Sequence, residues 1–227
     1  MAGHGLVGLG KTAITLSAIQ ELIYGRLEVQ KVLIVAPKKV AEATWQNEVK
    51  KWDHLRLLRV ATVLGPSKKR IQALHTTADV YVINRDNVTW LVDYYQNDWP
   101  FDMVVLDEAS SFKNHQAKRF KALRLVAPKT TRMVELTGTP SPNGLIDLWA
   151  QMYLLDAGQR LGKTIGGYRE RYFRPDQRNR TTVFSYTPKE DTKDEAVMAA
   201  LECKEGAQQE LLTALKARIA AVRSKAA

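Results

Sequence analysis

Short apolar runs alternate with helically spaced segments through the first two thirds of the chain, and this rhythm restricts the fold more than any other feature. "KVLIVAP" is a short apolar run closed by proline, which suits a strand buried on both faces of a parallel sheet. "LLRVATVLG" and "DVYVIN" are two more strand candidates, "FDMVVLDEAS" is a strand ending in acids, and "TRMVELTGTP" is another ending in a turn. Between them lie "KTAITLSAIQELIYG", "VAEATWQNEVKKW", "KKRIQALHT", "RDNVTWLVDYYQN" and "AKRFKALRLVA", all with helical spacing. Strand and helix in regular alternation predict an α/β fold, a parallel doubly wound sheet in a layer sandwich.

The ends of these runs carry the chemistry. "GLVGLGKT" fits G-x-x-x-x-G-K-[ST] through Gly5, Gly10, Lys11 and Thr12, with a further glycine at Gly8. Glycines let backbone N–H groups close around phosphates, the lysine reaches the β and γ phosphates, and the threonine hydroxyl holds magnesium. The apolar strand that usually feeds such a loop has no counterpart in Met1 to His4. Asp107 and Glu108 end the run "MVVLDEAS", at the strand edge where ligands of open parallel sheets sit. There Asp107 is a candidate magnesium ligand, and Glu108 a candidate for polarising the attacking water. "ELTGTPSPNG" sets Thr137, Gly138 and Thr139 after another strand, as a relay beside a nucleotide or as an ordinary turn.

Charge points to a polyanionic partner. The 227 residues carry a formal net charge of +10, which favours nucleic acid. Lys38 and Lys39 follow a strand end and read equally as phosphate contacts or as a solvated loop pair. Trp45, Trp52, Trp90 and Trp99 fit core or edge packing better than base stacking. His4, His54, His75 and His115 lack zinc-ligand spacing. A single cysteine, Cys203, fits a reducing cytoplasm, and no apolar run is long enough to span a membrane.

Taken in order, "GLGKT", "VLIVAPKKVAEATWQNEVKKW", "DEAS" and "LTGTPSPNG" resemble the first motor domain of superfamily-two helicase-like ATPases. The likeness is strongest to the Swi/Snf branch and its compact helicases in bacteriophages and prophages, and covers roughly residues 5 to 175. It implies a RecA-like fold and an ATP-driven translocase on DNA, contacting DNA without regard to sequence. ATP and Mg2+ are the implied cofactors. Gly8, Gly10, Lys11 and Thr12 would serve the phosphates, Thr12 and Asp107 the metal, and Lys11, Asp107 and Glu108 catalysis. Thr137, Gly138 and Thr139 would couple hydrolysis to DNA, and Pro37, Lys38 and Lys39 would line the nucleic-acid track.

The expected organisation is a RecA-like ATP-binding domain over 1–155, a basic helical protrusion over 156–186, and a polar, alanine-rich helical tail over 187–227. "RLGKT" and the arginines Arg169, Arg171 and Arg174, interleaved with Tyr168, Tyr172 and Phe173, belong to the protrusion. They could touch DNA or cover that protrusion. No second alternation of strands and helices follows, so the arginine that a second RecA-like domain lends the ATP site is not legible. The expectation is therefore an N-terminal motor half with little activity alone. The alternative is an ATP- or DNA-binding accessory acting with a separate chain that supplies the second motor domain. An unrelated P-loop enzyme such as a kinase is disfavoured by "LTGTPSPNG".

Overall fold

A computed structural model describes residues 10–138, 145–178 and 183–189. Gly5, Gly8 and Thr139 lie outside the described residues. The chain divides into two compact units. One is Thr12–Arg171; the other includes, among described residues, Gly10, Lys11 and those from Tyr172 onward.

Five strands form the sheet of the larger unit: β1 (Val32–Ala36), β2 (Val60–Val63), β3 (Val80–Asn84), β4 (Met103–Asp107) and β5 (Arg132–Leu136). Their order is β2-β3-β1-β4-β5 and every pairing is parallel. β1 and β3 are buried along their whole length, in keeping with an apolar run that is unbroken in β1 and reaches to Asn84 in β3. Edge strand β2 instead alternates between half-buried and buried residues.

Pleating sends alternate residues to opposite faces. Val32, Ile34, Ala36, Val80, Val82, Met103 and Val105 enter one core with Leu16 and Ile19 of α1 (Lys11–Gln20) and Ala41, Trp45 and Val49 of α2 (Lys38–Lys51). Leu33, Val35, Tyr81, Ile83, Val104 and Leu106 are buried on the other face. That side carries α4 (Val88–Tyr95) and α5 (Lys118–Val126), which pack together; Tyr81, Tyr95, Trp99 and Phe101 make edge-on ring contacts there. Helix α3 (Ser67–Leu74) flanks β2. The chain thus runs from β1 by way of α2 in one direction and, after β3, by way of α4 in the other. The reversal falls between β1 and β4, where open α/β sheets form their ligand crevice.

Beyond β5, α6 (Leu148–Asp156) packs against that strand and buries Leu148, Trp149, Met152 and Leu154. Trp149 Nε1 donates to the Gly162 carbonyl at 2.9 Å, fastening the loop that leads to α7 (Ile165–Tyr172). In the second unit, β6 (Phe173–Arg178) and β7 (Val183–Pro188) form an antiparallel pair. The sequence reading makes 156–186 a basic helical protrusion; among the described residues the structure gives turns, then α7, then this hairpin. Pro175 and Pro188 mask the strands in the sequence, yet an isolated two-stranded ribbon has only edges and tolerates proline there. Asp176 accepts hydrogen bonds from Ser185 and Thr187 across the ribbon.

Candidate nucleotide and nucleic-acid site

Register brings the chemistry-bearing residues to one rim. Ala36 pairs with Asn84, Val35 with Leu106, and Asp107 with Leu136, so β1, β3, β4 and β5 end at nearly one level. Pro37–Lys38–Lys39, Asn84–Arg85, Asp107–Glu108 and Thr137–Gly138 therefore leave the sheet side by side. Helix α1 shares its core with β1 through Leu16 and Ile19, and a π-helical turn over Glu21–Gly25 follows it. Ahead of β1, the Gln30 and Lys31 N–H groups donate to Asp102 at 2.7 and 2.9 Å, fastening the entry of β1 to that of β4.

The acids sit on a turn with unusual backbone geometry. Glu108 has φ 55° and ψ 58°, in the left-handed region. A non-glycine residue there costs about 1–2 kcal/mol, and such conformations gather at functional sites. Immediately afterwards a 3₁₀ turn over Ala109–Phe112 buries both end residues completely. The Ser111 N–H donates back to the Glu108 carbonyl at 3.0 Å, so the surrounding packing holds the conformation.

Lys38 and Lys39 are exposed in the first turn of α2, rather than on a loop. Pro37 precedes them and provides no side-chain cap. The first intrahelical donor is the Ala41 N–H, to the Pro37 carbonyl at 2.8 Å. The helix thus opens toward solvent with unpaired N–H groups, the positive end of its dipole and two ammonium groups, a combination that attracts phosphate.

Thr137 is buried at the exit of β5. Gly138 faces open space, with no atom within 4 Å of where a Cβ would lie. Asn84 and Arg85 on the same rim escaped the sequence reading, although "DVYVIN" followed by arginine is the same signal as "VLIVAP" followed by lysines. Asn84 is buried and accepts a hydrogen bond from Asn87, fixing the 3₁₀ turn over Arg85–Asn87. Lys113 and Asp147 also went unnoticed; their side chains meet at 3.0 Å beside the acids' turn.

Trp45 and Trp99 are buried, as core packing requires, and Trp52 and Trp90 are partly so. Tyr168, Tyr172 and Phe173 are buried while Arg171 and Arg174 are exposed. Among the described residues no helix is long and apolar enough to cross a membrane, and no three His, Cys, Asp or Glu side chains gather as a ready-made metal site.

The model of the SNF2-related domain matches residues 7–211 of the chain. The chain belongs to the SNF2-related family. It is 44% identical over 174 residues to putative protein p41 of Acyrthosiphon pisum secondary endosymbiont phage 1, an alignment covering 74% of this chain and 38% of p41. It is 32% identical over 155 residues to the helicase ssl-1 of Caenorhabditis elegans, covering 66% of this chain and 6% of that protein. Among solved structures, the Sulfolobus solfataricus SWI2/SNF2 ATPase core in complex with dsDNA superposes with a TM-score of 0.60 at 26% identity, over 73% of this chain and 33% of that one. The SNF2-related chain thus spans well under half the length of these relatives. Its five-stranded parallel sheet is the RecA-like layer of such ATPase cores.

Proposed function

We propose that this SNF2-related domain is the ATP-binding first half of a DNA-dependent motor that tracks along duplex DNA. One observation carries the reading: the in-register ends of β1, β4 and β5 bring Lys38–Lys39, Asp107–Glu108 and Thr137–Gly138 to one rim, at the crevice where the strand order reverses. The Sulfolobus relative was solved with dsDNA, which supports the same partner class here.

In this proposal Gly5, Gly8, Gly10, Lys11 and Thr12 serve the triphosphate of ATP. Thr12 and Asp107 hold Mg2+, Glu108 orients the attacking water, and Thr137, Gly138 and Thr139 relay the state of the site to DNA. Lys38 and Lys39, with the open start of α2, grip backbone phosphates without reading bases. The donor set suits magnesium, which takes one or two carboxylates together with substrate phosphates and waters instead of an all-protein cage. When bound, the metal neutralises charge developing on the transferred phosphoryl group.

Full turnover requires an arginine from a second RecA-like half, worth about three to five orders of magnitude in rate. Without that arginine the domain is expected to hydrolyse ATP weakly. The single cysteine favours a cytoplasmic protein.

The test is thermal. Magnesium ATP is expected to raise the melting temperature, by an amount corresponding to about 2.7 kcal/mol at a hundredfold excess over Kd. Lys11→Ala is expected to abolish that shift. Equal shifts in both proteins would remove the phosphate-loop assignment.

A further inference from the structure

We propose that Lys113 and Asp147 form a strut through which nucleotide at the acids controls affinity for DNA; this rests on the function proposed above. Lys113 Nζ lies 3.0 Å from Asp147 Oδ2, and the two side chains are only 31% and 15% exposed. An ion pair withdrawn from water to this extent is screened less by salt than a surface pair. It ties the end of the turn after Glu108 to the residue before α6.

The strut joins two stiff elements next to the candidate site. On one side, Lys113 ends the 3₁₀ turn that begins after Glu108, and its own N–H reaches the Ser110 carbonyl. Ala109 and Phe112 are fully buried, so movement of the Glu108 backbone is passed along the turn rather than absorbed. On the other side, Asp147 immediately precedes α6, and its carbonyl accepts from Gln151 Nε2 in the first turn. Leu148 and Trp149 anchor that turn in the core. Two residues earlier, the Leu145 carbonyl accepts the Tyr168 hydroxyl at 2.6 Å.

Glu108 is where bound nucleotide acts on this turn: packing holds it in a costly left-handed conformation next to Asp107, so charge arriving at the acids bears on backbone that is already strained. Metal and phosphate at Asp107 and Glu108 bring such charge. The strut makes α6, which packs on β5, follow that turn, while the pairing of Asp107 with Leu136 keeps Thr137 beside Glu108. Lys113 and Asp147 are thus positioning residues, touching neither nucleotide nor DNA.

The experiment measures duplex-DNA affinity by fluorescence anisotropy at one salt concentration, with and without magnesium and a non-hydrolysable ATP analogue. It is run on the 227-residue chain and on Lys113→Asp, Asp147→Lys and the exchanged double variant, with the analogue's thermal shift recorded for each. The unaltered chain is expected to change its DNA Kd by about fivefold or more, within the usual range of allosteric coupling. Each single variant is expected to bring that ratio close to one while keeping the thermal shift, and the exchange to restore it. A merely structural pair would lower melting temperatures and leave the ratio intact. Lys113→Met, which retains the aliphatic stem, replaces Lys113→Asp if the latter does not fold, and is held to the same ratio. Single variants with the original ratio, an exchange that fails to restore it, or a ratio of one in the unaltered chain despite a thermal shift overturns the strut alone. Absence of any thermal shift in the unaltered chain overturns the nucleotide reading, and the strut with it.

Discussion

Asp107 pairs with Leu136 at the last rung of the β4–β5 ladder. The residues that follow, Glu108 and Thr137, consequently leave the sheet as neighbours, one into a left-handed turn and the other into a buried position. A parallel ladder fixes this relationship, since slipping by one residue would turn every side chain to the opposite face. The juxtaposition of the acids with the threonine segment is thus enforced by the same hydrophobic pairing that builds the core.

The backbone at Glu108 separates stability from chemistry. Glycine adopts the left-handed region freely, whereas alanine bears the Cβ penalty. Glu108→Gly is therefore expected to melt about 2–4 °C above Glu108→Ala, as about 1 kcal/mol implies for a domain of this size. Both variants are expected to lose ATP turnover in the assembled two-domain motor by about 10²–10⁴-fold, the usual contribution of a positioned acid or base. Thermal melting and a phosphate-release assay check the two halves; turnover surviving in either variant would remove Glu108 from the chemistry.

His115 predicts a pH dependence near neutrality. Burial first, and then the charges of Arg169 and Lys121, lower its pKa below the ordinary 6.5. Its ring stands edge-on to Trp149 at 6.0 Å. Between the lowered value and 6.5 the unfolded chain binds more protons than the folded one, so stability rises with pH and reaches its full value above 6.5. The slope stays below the ~1.4 kcal/mol per pH unit given by one whole proton. Urea denaturation from pH 5 to 7.5 is expected to show this rise, and His115→Gln to flatten it.

Asp79 gives the opposite kind of test, at acid pH. Its carboxylate is buried just before β3 and accepts from the Arg59 backbone N–H at 2.8 Å, Arg59 Nη2 at 2.6 Å and the Tyr24 hydroxyl at 2.9 Å. Burial raises its pKa, but the bonds from Arg59 and Tyr24 outweigh that and leave it below the ordinary 3.8. Its contribution is complete above 3.8 and disappears as pH falls through the folded value. Asp79→Ala is expected to cost about 1–3 kcal/mol at pH 7, observed as a lower urea midpoint, and to lessen the acid sensitivity of the fold.

The fold was legible where burial on both faces leaves no ambiguity in pattern. β1, β3 and β4 read as strands because every residue but Asp107 is buried, and the acids stood out as charges ending an apolar run. Three features were not legible, for different reasons. Nothing in "DEAS" announces a left-handed Glu108, because tertiary packing imposes that conformation against local preference. Lys113 and Asp147 are far apart in sequence and are brought together only by tertiary packing. The β6–β7 hairpin carries prolines that ordinarily argue against strands.

Lys38 and Lys39 offer the most direct test of the nucleic-acid rim. Each lysine that neutralises a DNA phosphate releases a counterion and adds close to one unit to the slope of log affinity against log salt. Both project from the uncapped first turn of α2, so alanine at either position leaves the buried Ala41, Trp45 and Val49 stripe intact. The double variant Lys38→Ala/Lys39→Ala is expected to retain its melting temperature and bind duplex DNA more weakly at low salt. Its salt slope should be shallower by about two, uniformly across unrelated sequences. Weakening without a change of slope would mean that neither ammonium meets a phosphate. A slope change confined to one sequence would mean that the rim reads bases.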